Sequence, residues 1–157
     1  MNNKTVLLVE DEMNDVFFLK HAFQEVRILN PLQVMANGKE AMNYLSGDGE
    51  YADREKFPLP CIVLLDLNLP GVMGLDVLKW VREQSGMKTL IVIILSSSQL
   101  GRDIERAYQL GANAYLVKPS TPPELRELAT GIKQFWLKLN HGPPAPCESA
   151  QPIVNSK

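Results

Sequence analysis

Apolar residues along this chain fall into two alternating patterns. Three runs are continuously β-branched or apolar: Thr5-Val6-Leu7-Leu8-Val9, Cys61-Ile62-Val63-Leu64-Leu65 and Leu90-Ile91-Val92-Ile93-Ile94-Leu95. Such runs predict strands covered on both faces. Leu32-Gln33-Val34-Met35-Ala36 and Ala114-Tyr115-Leu116-Val117 are shorter strand candidates. Helical spacing fills the intervals. Val16, Leu19, Phe23 and Val26 recur at steps of three and four, as do Leu100, Ile104, Ala107 and Tyr108. Lys39 to Leu45 and Leu75 to Arg82 are shorter helical stretches. The last helix is the best marked. Thr121-Pro122-Pro123-Glu124 forms a capping box with proline at the first helical position. A stripe of Leu125, Leu128, Ala129, Ile132, Phe135, Trp136 and Leu139 follows, and Gly142-Pro143 supplies a stop.

Strand and helix alternating five times predict a doubly wound α/β fold, with helices on both faces of a five-stranded parallel sheet. Right-handed crossovers leave few topologies, and the flavodoxin-like strand order 2-1-3-4-5 is the one expected. The domain is expected to span residues 1–142, with a loop insertion at about 47–60 that is rich in Gly, Asp, Glu and Pro. Residues 143–157 read as a mobile, Pro-rich tail, and no second folded domain is expected after residue 140.

Composition narrows the class further. The chain has 157 residues, 45% hydrophobic and 22% charged, which suits one soluble globular domain. A net charge of −2 and a pI near 5.7 leave no electrostatic footprint for direct nucleic-acid binding. The apolar run after Met1-Asn2-Asn3-Lys4 is too short for a signal peptide or a membrane span. The two cysteines, Cys61 and Cys147, form no disulfide framework, which fits a cytoplasmic location.

In sheets of this kind ligands bind beyond the carboxyl ends of the strands. There the chain places Glu10-Asp11-Glu12 after the first strand, Asp66 after the third, Ser96-Ser97-Ser98 after the fourth and Lys118-Pro119 after the fifth. Glu10, Asp11 and Asp66 would crowd together and repel unless a cation intervenes. A hard divalent ion with oxygen ligands, Mg²⁺, resolves that repulsion. With a lysine and a hydroxyl added, the set can bind and stabilise a transferring phosphoryl group. Simpler readings exist for each part. Glu10, Asp11, Glu12 and Asp15 also suit the first turn of a helix, which favours negative charge. The three serines also suit a loop and helix cap, Lys118 alone a solvated surface, and Tyr115 ordinary packing.

Val9-Glu10-Asp11-Glu12, Leu65-Asp66-Leu67-Asn68-Leu69-Pro70-Gly71, Leu95-Ser96-Ser97-Ser98 and Lys118-Pro119 together resemble the response-regulator receiver domain of two-component signalling. Met73-Gly74-Leu75 and Gly111-Ala112-Asn113-Ala114-Tyr115 add to the resemblance, which covers about residues 4–140. It implies that Asp66 is the phosphoacceptor and that Asp11 contacts Mg²⁺ directly. Glu10 would act on the ion through water, and Asn68 would offer its backbone carbonyl. Ser96 would hydrogen-bond the phosphoryl oxygen, Lys118 would pair with it, and Tyr115 would be the aromatic switch, turning from exposed to buried. The Lys118-Pro119 bond would be cis. Glu10 replaces the family's more usual aspartate and Ser96 its commoner threonine; both keep the chemistry in kind.

The resemblance implies a phosphorylation-activated switch rather than a turnover enzyme, with a sensor histidine kinase as partner. The long loop and the Phe135-Trp136-Leu137 helix end further resemble the receivers that partner phytochrome-type kinases. That helix end is expected either to pack on the sheet or to form a homodimer through Phe135 and Trp136. Competing functions are an aspartate-nucleophile phosphatase, which Asn68 disfavours, and a constitutive binding module of the same fold. His21 and His141 are expected at the surface.

Overall fold

The computed structural model describes residues 4–144. The five expected strands form: β1 (Val6–Val9), β2 (Leu32–Met35), β3 (Ile62–Leu65), β4 (Ile91–Ser96) and β5 (Ala114–Val117). They make one sheet in the order β2-β1-β3-β4-β5, parallel throughout. The helices are α1 (Met13–Glu25), α2 (Gly38–Ser46), α3 (Gly74–Glu83), α4 (Gly101–Gln109) and α5 (Pro122–Gly131).

Strand alternation divides the core in two. Leu7, Val9, Val63, Leu65, Val92 and Ile94 face α2, α3 and α4. Val6, Leu8, Ile62, Leu64, Ile93 and Leu95 face α1 and α5. Because consecutive residues of the central strands go to opposite layers, β1, β3 and β4 up to Leu95 had to be apolar without interruption. The first residue past each strand is then the first position free to be polar, and Glu10 and Asp66 occupy it.

Three expectations are altered. α5 does not run to Leu139 as an ordinary helix: Ile132–Leu139 is π-helical and ends with the Asn140 amide on the Phe135 carbonyl at 2.7 Å. Its wider turn has a different period from the 3.6-residue stripe. Ala129 and Ile132 are buried and Trp136 is partly covered, but Phe135 and Leu139 point outward, 52% and 65% exposed. On α4 only Ala107 is buried, and Leu100 and Tyr108 stand half exposed.

The loop at 47–60 is built rather than loose. A 3₁₀ turn at Gly49–Ala52 brings Tyr51 and Phe57 onto the buried Tyr44 ring. The Arg54 guanidinium donates to the carbonyls of Tyr44 (2.7 Å), Leu45 (2.8 Å) and Phe57 (3.2 Å), closing the carboxyl end of α2. The Tyr44 hydroxyl donates to the Pro58 carbonyl at 2.7 Å. The expected tail, 143–157, lies outside the described residues from 145 onward.

Candidate functional site at the carboxyl end of the sheet

The register fixes the site before any side chain is considered. Val9 pairs with both Met35 and Leu65, so β1 and β3 end level with each other. The Asp66 amide donates to the Val9 carbonyl at 3.1 Å, extending that pairing into the site. Glu10 and Asp66 thus leave adjacent strands together, and both are buried, 3% and 6% exposed. Asp11 follows Glu10 into solvent. One carboxylate oxygen from each of Glu10, Asp11 and Asp66 lies within 4.8 Å of the others. The expected convergence of acids from the first and third strands is therefore present.

Lys118, after β5, reaches across to them. Its ammonium donates to Glu10 Oε2, to Asp15 Oδ2 at 2.9 Å and to Asp66 Oδ2 at 3.0 Å. Burial pushes the Glu10 carboxyl above its ordinary value and Asp66's charge adds to the rise; the bonds from Lys118 and from the Glu12 amide offset part of it. Burial alone would lower Lys118, but its bonds to Glu10, Asp15 and Asp66 outweigh that and hold the ammonium above its ordinary range.

The remaining expected residues sort themselves by contact. Asn68 is exposed, and its amide donates to Asp66 Oδ1 at 3.4 Å, so its backbone lies beside that carboxylate. Ser96 closes β4 fully buried, its hydroxyl oxygen accepting the Ser98 amide at 3.2 Å. Ser98 closes the turn ahead of α4: its hydroxyl accepts the Leu100 amide at 3.3 Å and donates to Asp103. The serine run thus shapes the loop at Ser98, while α4 itself begins at Leu100 without a side-chain cap. Tyr115 is already turned inward, half-buried, its hydroxyl donating to the Ser98 carbonyl at 2.8 Å. The exposed state expected of it is not the one seen, because that carbonyl satisfies the phenol on the protein. The Lys118-Pro119 bond is trans, as is every described peptide bond, against the cis form expected. Lys118 reaches all three carboxylates from the trans form. His21 is at the surface as expected, stacked on Phe17.

Two residues have a larger part in the site than their sequence context gave them. Asp15, read only as a helix-end acid, bonds Lys118. Glu12 keeps to that simpler reading, as the N-cap of α1 accepting the Asn14 amide at 3.4 Å. Gly74, at the start of α3, sits against the acceptor loop. A Cβ there would lie 2.0 Å from the Asp66 carbonyl oxygen, and its amide donates to the Leu67 carbonyl at 2.9 Å. Only glycine permits that approach.

A family model for the response regulator receiver domain matches residues 6–130. The chain belongs to that family. Among curated relatives, response regulator Rcp1 of Synechocystis sp. is 34% identical over 135 residues, 86% of this chain and 90% of the relative. The probable methanogenesis regulatory protein FilR2 of Methanothrix harundinacea is 33% identical over 141 residues, 88% and 86% of the two chains. Two solved structures each cover 90% of this receiver and 99% of their own chain. They are response regulator RPA3017 in red light signaling of R. palustris (TM-score 0.86, 35% identity) and the phosphorylated cyanobacterial phytochrome response regulator RcpA (TM-score 0.83, 33% identity). A Mn²⁺-bound form of Rcp1 has also been solved (TM-score 0.80, 33% identity, 90% of this receiver and 99% of that chain). The receiver fold and the flavodoxin-like topology are thus established. No described helix is long and apolar enough to cross a membrane.

Proposed function

We propose that this receiver accepts a phosphoryl group from the phosphohistidine of a sensor histidine kinase onto Asp66 and thereby switches its partners. The observation that carries the reading is the meeting of Glu10, Asp11 and Asp66 with Lys118, four side chains from the ends of three strands. Packing alone gives no reason to bury two carboxylates side by side.

In the step, an Asp66 carboxylate oxygen forms a bond to phosphorus. The bond from phosphorus to the imidazole nitrogen breaks, and its electron pair stays with that nitrogen. An anionic nucleophile approaching an anionic phosphoryl group is repelled. Lys118, already on Asp66, offsets that charge from the protein side. Ser96 stands at the end of β4 to hydrogen-bond the transferred group, with Tyr115 as the switch residue through the loop its hydroxyl binds. All-oxygen donors, two of them buried, fit a hard divalent cation such as Mg²⁺. Glu10, Asp11 and Asp66 would hold it with the Asn68 backbone carbonyl, and it would supply positive charge to the phosphoryl oxygens. The acyl phosphate then hydrolyses, so the protein is a self-limiting switch and not a turnover enzyme.

Incubation with a small phosphodonor and Mg²⁺, followed by intact mass, tests the reading. One added phosphoryl group is expected on the wild type, and none after EDTA or on Asp66→Asn. An unmodified wild type would overturn it.

The likeness to red-light and phytochrome response regulators supports a phytochrome-type kinase as the donor, in the cytoplasm. Output runs through docking or through a homodimer at the last helix, where Phe135 is exposed beside Trp136, the rings edge to face at 4.9 Å. Phe135→Ala should lower the sedimentation coefficient of that dimer while leaving phosphorylation intact. An unchanged profile assigns this helix end to the monomer.

A further inference from the structure

An ammonium has three N–H donors, and those of Lys118 are all taken, by Glu10, Asp15 and Asp66. Two of these acceptors belong to the trio of carboxylates placed to share a cation. Asp15 does not. It stands apart in the first turn of α1, half exposed, where water reaches its carboxylate.

We infer that Asp15 is a positioning residue for the phosphoryl-transfer reaction, the anchor that keeps Lys118 aimed at Asp66 while the other two carboxylates are engaged. The inference rests on the phosphoacceptor reading of Asp66. A lysine stem has four rotatable bonds and gives up considerable rotamer entropy when fixed, so its head stays in place only while acceptors hold it. During the reaction Glu10 and Asp66 would share their charge with a cation, and Asp66 becomes an acyl phosphate, a mixed anhydride whose carboxyl group no longer carries its own charge. Both then attract Lys118 less. Asp15 undergoes neither change. With one donor held by Asp15, another is left to follow the phosphoryl oxygens.

A purely electrostatic role gives the opposite sign. As one more negative charge near the site, Asp15 would repel an anionic donor, and its removal would speed the reaction. The direction of the effect therefore separates the two.

The test uses the full chain with small phosphodonor and saturating Mg²⁺, the rate being read by intact mass. Asp15→Ala is expected to slow phosphorylation about tenfold, the scale of one charge-assisted hydrogen bond. Asp15→Asn, which keeps an acceptor oxygen in place, should recover much of that loss. Mg²⁺ affinity by calorimetry should change less than about threefold, because Asp15 is outside the ligand set. In a Lys118→Met background, Asp15→Ala should cost nothing further. An Asp15→Ala rate equal to or above wild type overturns the inference, as does an equal fractional loss in both backgrounds. Thermal melts without metal test the pairing independently of phosphorylation: the two substitutions should be non-additive, and strict additivity is a second refutation. A wild type that takes no phosphoryl group while the melts remain non-additive overturns the role given to Asp66 and, with it, this one, yet leaves the Asp15–Lys118 pairing standing.

Discussion

Partly buried cations stand at opposite ends of the sheet and are held in different ways. At the amino ends of β4 and β5, the Arg82 guanidinium donates to the carbonyls of Gly111 (2.7 and 2.9 Å), Leu90 (2.7 Å) and Lys88 (3.2 Å) and to Asn113 Oδ1 (2.9 Å). Asn113 Oδ1 also accepts the Val92 amide at 2.8 Å, which ties the cluster into β4. At the carboxyl end Lys118 bonds only carboxylates. Backbone carbonyls carry no net charge, so burial goes uncompensated by any opposite charge and pushes Arg82 below its ordinary value; three carboxylates pull Lys118 the other way. The contrast separates structure from chemistry. Carbonyls are fixed by the chain and have no second role, so a guanidinium fork among them staples loops. Carboxylates can bind a cation or become acylated, so bonds to them can be redistributed.

Removing each cation should therefore break a different property. The largest effect is expected from Lys118→Ala, which should slow Asp66 phosphorylation by about 10²-fold or more, on the scale of losing a preorganised charged donor; a rate within a factor of about three of wild type by intact mass would place the charge compensation elsewhere. Arg82→Ala should instead cost about 2–4 kcal/mol in urea unfolding, through several orphaned carbonyls, and leave phosphorylation of the folded fraction nearly unchanged.

Glu10 sharpens the comparison through pH. Its carboxyl lies above the ordinary 4.5, first because it is buried. The stability it contributes is therefore full below 4.5 and lost as pH rises through its higher folded value. A protonated Glu10 cannot serve as a ligand. The gain in melting temperature on adding Mg²⁺ should grow as pH rises from 4.5 through Glu10's higher folded value, and Arg82→Ala should show the same growth. A gain flat with pH would remove Glu10 from the ligand set. The smallest effect belongs to the other stapled region. Tyr44→Phe deletes the bond to the Pro58 carbonyl and should cost about 1 kcal/mol in urea unfolding, without altering Mg²⁺ binding.

Much of this site was legible because the burial that makes the strands apolar also makes their ends conspicuous. Glu10 and Asp66 close runs with no other charge in them. Asp15 was not legible, since an acid in a first helical turn has a sufficient local explanation. Gly74 was visible only within the Met73-Gly74-Leu75 resemblance; its close approach to a backbone oxygen eight residues away leaves no side-chain pattern. Arg54 and Arg82 were missed for the same reason: their acceptors are carbonyls, and every residue has one. The stripe of the last helix misled because a constant period was assumed across Gly131, where the helix widens.

Local sequence determined which segments are strands, which faces they bury and which acids stand at their ends, because periodicity, capping and chain breaks act over a few residues. The tertiary structure decided which of those acids share one ammonium. The partners of Lys118 lie 108, 103 and 52 residues away in the chain. Only parallel pairing of level strand ends brings them within a hydrogen bond, and only the packing of α1 against the sheet turns Asp15 into one of them.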